Sequence, residues 1–143
     1  SFGITSELYT IMKLSDQREI AKEFNIDNES LAVFLPILSN YRNLCAHEDI
    51  LFEHRTQKFI PDNKYHERLN IPSINGEYIY GKGDLFSVVI IFKYMLSKDD
   101  FRMFINEVSY ELDKLAGRLE AISIDQVYDR MGFPVNYKSL LDD

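Results

Sequence analysis

The sequence lacks three things: paired cysteines, long apolar runs and an excess of positive charge. Cys45 is its single cysteine. No intrachain disulfide can form, which fits a reducing, cytoplasmic setting. No apolar stretch reaches the roughly 20 residues that a membrane span needs. Ser1–Leu14 also lacks the charged start and apolar run of a signal peptide. Sixteen basic residues face 23 acidic ones, and the net charge of −7 argues against a surface that grips nucleic acid non-specifically. No internal repeat or low-complexity run is present. The chain also opens without an initiator methionine, so it is expected to be a fragment or processed product of a longer protein.

What remains is one domain's worth of chain. A domain of 143 residues, 45% apolar and 13% aromatic, can build a core without disulfides or a structural metal. At this size about 68–70% of the unfolded surface is buried. The charge is unevenly spread. Residues 1–40 carry three basic and six acidic groups, and residues 69–143 carry eight and twelve. Tyr41–Arg68 carries five of each and holds all three histidines, so it is the least acidic part of the chain.

Periodicity and capping signals predict an all-α bundle. A short helix is expected over Ser6–Leu14 with Ser6 as N-cap, and another over Asp16–Phe24 capped by Ser15. A central helix from Glu29 to about Glu53 follows, capped by Asp27 or Asn28. Its stripe holds Leu31, Phe34, Leu35, Leu38, Tyr41, Cys45 and Phe52. Pro36 either kinks this helix or marks its true start. Gln57–Lys82 reads as an extended excursion, with a small hairpin around Asn75-Gly76 in Ser73–Tyr80. Asp84–Leu96 is apolar almost all round. It suits a buried helix or a buried strand, and the cap signal at Gly83-Asp84 and the thirteen-residue length favour the helix. An amphipathic helix capped by Ser97 then runs from Lys98 to about Leu119. A capping box, Ser123 to Gln126, opens a last helix that stops at Gly132, ahead of Pro134. Asn136–Asp143 adds a final turn.

The chemistry-bearing residues lie in Asn40–Arg55, where Arg42, Asn43 and His47 interrupt an apolar helical pattern. A permanent cation, an orienting amide and an imidazole that titrates near neutrality suit work on a phosphodiester. At about 100° per residue, Asn43 and His47 share a face, and His54 continues it if the helix persists. Arg42 belongs to the apolar stripe, about 140° from His47. One flat cleft then sees both only if the guanidinium reaches around or a second helix closes over the site. The structural alternative pairs Arg42 with a carboxylate at the edge of the core, while Asn43 and His47 bond a neighbouring loop. No metal is expected, since His47, Glu48 and His54 lack the H-E-x-x-H spacing. Cys45 reads as an inert core thiol. Phe59, Tyr78 and Tyr80 either stack bases of single-stranded RNA or pin the excursion to the bundle.

Arg42-Asn43-Leu44-Cys45-Ala46-His47 resembles the Arg-x4-His signature of the HEPN superfamily. Together with Ser1-Phe-Gly-Ile-Thr-Ser6 and Met131-Gly-Phe-Pro134, it makes the chain similar to the C-terminal part of the Abi-like, or abortive-infection, family. The sequence departs from that pattern just after the histidine, at acidic Glu48 and Asp49. The resemblance implies a single HEPN-like helical domain with a loop and hairpin excursion after the motif helix. It also implies a metal-independent endoribonuclease that needs no cofactor. In that reading His47 is general acid or base, Arg42 stabilises charge on the phosphoryl oxygens, and Asn43 orients His47 or the phosphate. The partners implied are cellular or phage RNA, a second copy of the chain in a homodimer, and an antitoxin or regulatory RNA. His54 is an auxiliary candidate for the second acid–base group. A non-catalytic helical interaction module is the competing expectation.

Overall fold

A computed structural model describes residues 2–142. The described residues form an all-α bundle: α1 (Phe2–Ile11), α2 (Leu14–Lys22), α3 (Asn28–Ala46), α4 (Lys64–Arg68), α5 (Leu85–Met95), α6 (Lys98–Ala116) and α7 (Ile124–Met131). A 3-10 turn, Tyr137–Leu141, closes the chain, and Asp143 of the expected last turn lies outside the described residues. One two-stranded hairpin, β1 (Ser73–Ile74) and β2 (Glu77–Tyr78), interrupts the helices.

Helix α5 is the centre of the core. Its six consecutive buried residues, Phe86–Ile91, leave no solvated face, which is how an all-round apolar helix is accommodated. It packs between α3, which buries Leu31, Phe34, Leu35, Ile37 and Tyr41, and α6, which buries Phe101, Ile105 and Leu112. The α5, α6 and α7 caps are Asp84, Ser97 and Ser123, each accepting from a backbone N–H in the first turn.

The N-terminal half departs from the periodic reading. Helix α1 begins before Ser6, so Ser6 is a buried residue inside it rather than its cap. Lys13 precedes α2 without a side-chain cap. Tyr9 and Gln17 make the corner instead. The Tyr9 hydroxyl donates to the carbonyls of Gln17 and Asn28, and the Gln17 amide donates to the carbonyls of Tyr9, Thr10 and Met12. Pro36 lies well inside α3, which starts at Asn28 with Asp27 as cap.

The larger departure is the end of α3, at Ala46 rather than near Glu53. Glu48 takes the left-handed conformation, φ 55°. The N–H of Asp49 reaches back to the Leu44 carbonyl at 3.0 Å, and that of Glu48 to Cys45 at 3.3 Å. This is a Schellman stop with glutamate in the place that glycine usually fills. Asn25, Asn70 and Gly132 turn the chain with positive φ after α2, α4 and α7 in the same way.

The excursion after α3 contains α4, which was not apparent in the sequence. Asn63 caps it reciprocally with His66. The hairpin turn at Asn75 (φ 53°) and Gly76 (φ 82°) is of the type that suits Asn-Gly.

Candidate functional site

Arg42, Asn43 and His47 occupy the last turns and the C-cap of α3, and all three are exposed. The Arg42 guanidinium turns towards Asn43 and donates from Nη1 to Oδ1 at 3.4 Å, a long bond. It thus leans across the angle that separates Arg42 from the Asn43–His47 face, and it does not turn to a core-edge carboxylate. The His47 backbone N–H donates to the Asn43 carbonyl at 3.0 Å, which fixes the C-cap.

His54 does not continue the helical face, because α3 ends at Ala46, eight residues before it. The chain returns by a different route. The His54 ring meets α3 through Nε2 and Asn40 Oδ1, 2.7 Å apart, and stands edge-on to Tyr41 at 5.3 Å between ring centres. Asn40 lies seven residues before His47 and three before Asn43, so it shares their side of α3. The loop therefore brings His54 to the same polar strip, one end of which is Asn40 and the other His47.

Tyr41 locks this return. Its buried hydroxyl is shared between the carbonyls of His54 (2.9 Å) and Gly83 (3.3 Å). Burial, with the charge of Asp84, raises the Tyr41 phenol well above its ordinary range, against a smaller lowering by Arg55, so it stays a neutral donor. The Thr56 N–H donates to the Gly83 carbonyl at 2.8 Å and the Ile60 N–H to Lys82 at 3.0 Å, which zips the loop to the segment before α5.

Two buried ionisable groups, Asp84 and His66, meet that segment, and the burial of neither was legible in the sequence. Asp84 caps α5 and accepts from the N–H groups of Ser87 and Gly81. Burial pushes its carboxyl up to about 6, against the lowering effect of those bonds and of Arg55. His66 is fully buried; Nδ1 accepts from the Asn63 N–H and Nε2 lies 2.7 Å from the Gly81 carbonyl. That places its proton on Nε2 and makes it neutral. Burial is the main cause of its lowered pKa. Tyr78 stacks on His66, and the Tyr80 hydroxyl donates to Asp129. Both tyrosines thus pin the excursion, while Phe59 is 52% exposed.

The opposite flank of α3 is apolar. Leu38, Tyr41, Arg42 and Cys45 line a cavity of about 520 Å³ whose other walls include Val88, Phe92 and Phe104. Cys45 is exposed there rather than sealed in the core, because no described element covers this end of α3. Phe52, also expected in the core stripe, is 37% exposed beyond the end of the helix. Among the described residues, no cluster of three or more His, Cys, Asp or Glu side chains could hold a metal. No described helix is long and apolar enough to cross a membrane.

The described chain is thus a helical protein with an exposed Arg-Asn-x3-His helix end. A family model described as Abi-like protein matches residues 1–53, from α1 through the turn after α3, and includes Arg42, Asn43 and His47. Over this segment, about a third of its length, the chain is similar to Abi-like proteins. No curated protein and no solved structure matches the chain.

Proposed function

We propose that the protein is a metal-independent endoribonuclease of the abortive-infection type, with a HEPN-like active centre at the end of α3. The observation that carries this reading is the joint exposure of Arg42, Asn43 and His47 within the Abi-like segment, with the guanidinium turned to Asn43. In the reaction a ribose 2′-oxygen bonds to phosphorus while the bond from phosphorus to the 5′-oxygen breaks. A base takes the 2′-hydroxyl proton, an acid gives one to the departing 5′-oxygen, and a 2′,3′-cyclic phosphate remains.

His47 serves as one of these two groups. The second is His47 of a facing copy in a two-fold dimer, since His54 is held at the far end of the strip by Asn40. Arg42 has a further duty here. The C-terminal end of a helix carries the negative pole of its dipole and repels a phosphate, so a fixed cation is needed beside it. The substrate is cellular or phage RNA in a prokaryotic cytoplasm, and an antitoxin or regulatory RNA would restrain the activity.

The test is RNA cleavage in EDTA by the full-length protein, His47→Ala and Arg42→Ala. Wild type should cleave to cyclic-phosphate ends, and each variant should lose at least about a hundredfold in rate. Absence of cleavage, or cleavage unchanged in both variants, sinks the reading. The apolar cavity beside Arg42 favours a second reading, a helical interaction module whose motif only shapes a binding face. That reading expects no cleavage.

A further inference from the structure

The geometry points to a second, preformed subsite. We infer that the pocket between α3 and the returning loop binds a single-stranded RNA nucleotide that flanks the scissile phosphate. This rests on the endoribonuclease reading for its place in catalysis, but not for its chemistry.

The pocket has a volume of about 370 Å³ and its polar lining comes from Asn40, His54, Arg55, Thr56, Gln57 and Lys58. None of its lining residues is acidic, in a chain with 23 carboxylate side chains. Two cations, an imidazole and two amides fit a ligand with a negative charge and several hydrogen-bonding edges. The size is at the small end of the roughly 300–1,000 Å³ found for ligand pockets. That is room for one nucleotide splayed out from a single strand.

The wall is held by hydrogen bonds of the chain's own. Tyr41 and the bonds from Thr56 and Ile60 hold its backbone. The Thr56 hydroxyl donates to the Lys58 carbonyl at 2.6 Å. Arg55 is partly a strut, donating to the Arg130 carbonyl at 2.7 Å and to that of His54 at 3.1 Å. Exposed Lys58 and Gln57 are therefore the side chains free to adapt to a ligand.

Position supplies the link to cleavage. Asn40 belongs to the pocket and to the polar strip that ends at His47. Seven residues of helix separate the two, a rise of about 10 Å. A strand whose scissile phosphate lies at His47 can thus run along the strip and place a neighbouring nucleotide against Asn40, His54 and Lys58.

The probe is a 2′-O-methyl single-stranded RNA, which cannot be cleaved, with a 2′-O-methyl duplex of equal length as control. Binding is read by fluorescence anisotropy over a salt series for wild type, Lys58→Glu and Gln57→Glu. Circular dichroism confirms that the exposed substitutions leave the fold intact. Lys58→Glu should weaken single-strand binding about tenfold and lower the salt slope by about one. Gln57→Glu should weaken it in the same sense, and the duplex should bind at least about tenfold more weakly. In cleavage, Lys58→Glu should raise KM and leave kcat within about twofold.

If nothing is cleaved yet Lys58→Glu still weakens binding, the endoribonuclease reading fails and the binding site stands. If cleavage depends on His47 but neither pocket variant changes KM or binding, the subsite is overturned and the nuclease stands. Equal binding of duplex and single strand also overturns it.

Discussion

Asp84 should make this protein less stable as the pH rises from about 4 to about 6. Its carboxyl is buried at the N-cap of α5, and burial lifts it from an ordinary value of 3.8 to about 6. In that window the folded protein holds a proton that the unfolded chain has released. Stability contributed by the protonated form is therefore complete below about 4 and lost by about 6. A shift of about two units, at 1.36 kcal/mol each, amounts to roughly 3 kcal/mol. His66 acts in the opposite sense. Its lowered folded pKa means that stability falls as pH drops below about 6.5. The raw pH profile thus mixes two slopes, and the difference between wild type and Asp84→Asn isolates one. The asparagine Oδ1 can still accept from Ser87 and Gly81, so the cap survives while the buried charge does not. Urea unfolding at half-unit intervals from pH 4 to 7 should show the variant nearly equal to wild type at pH 4. It should be more stable by about 2–3 kcal/mol at pH 7. A difference that stays flat across the window would refute the reasoning.

Four other substitutions probe neighbouring contacts. Gly132→Ala should cost at least about 3 kcal/mol by thermal unfolding, because φ is 74° and a Cβ would run into the Asp84 carboxylate; a loss under about 1 kcal/mol would contradict that packing. His66→Gln should cost about 2–4 kcal/mol, through the bonds to Gly81 and Asn63 and the stack on Tyr78, and should remove the acid-side loss of stability. Glu48→Gly should raise stability by about 0.5–1 kcal/mol, the left-handed strain released less the added freedom of the unfolded glycine; a lower melting temperature would count against it. Tyr41→Phe should cost about 1–2 kcal/mol, and hydrogen exchange should quicken in residues 47–56, with no such local change if the hydroxyl is not the lock.

The second half of the bundle was largely legible because its boundaries are written in local chemistry. Asp84, Ser97 and the Ser123–Gln126 box each cap a helix, Gly132 ends one, and Asn75-Gly76 turns the hairpin. The end of α3 was not legible. Its periodic apolar residues run on towards Phe52 with no glycine or proline to stop them, and the actual stop is a strained glutamate. Asn43 and His47 could be assigned to one face because both lie within α3's register. The place of His54 could not, since Asn40 and Tyr41 fix it through contacts that no local pattern encodes. Cys45 illustrates the same limit from the other side. A stripe position predicts burial only where another element arrives to cover it, and at this end of α3 none of the described elements does.

The proposed phosphate chemistry has to work in an acidic chain, so the placement of the carboxylates bears on it. With a net charge of −7, long-range attraction cannot bring RNA to this chain, so any grip must be local. Asp62 is engaged by Lys82, Glu53 lies 3.6 Å from Arg130, and Asp84 is sealed under Gly132. These contacts occupy three carboxylates, whereas Glu48 and Asp49 stand exposed beside His47, at one end of the strip that runs from Lys58 through Asn40. One such strip offers few phosphate contacts, and each is opposed by the α3 dipole and by the chain's overall charge. In the proposed dimer a facing copy would bring a second Arg42 together with a second Glu48 and Asp49, and it would supply the second histidine that the proposed reaction requires. It is the proton balance of the proposed reaction, more than the charge balance, that asks for a site completed between two chains.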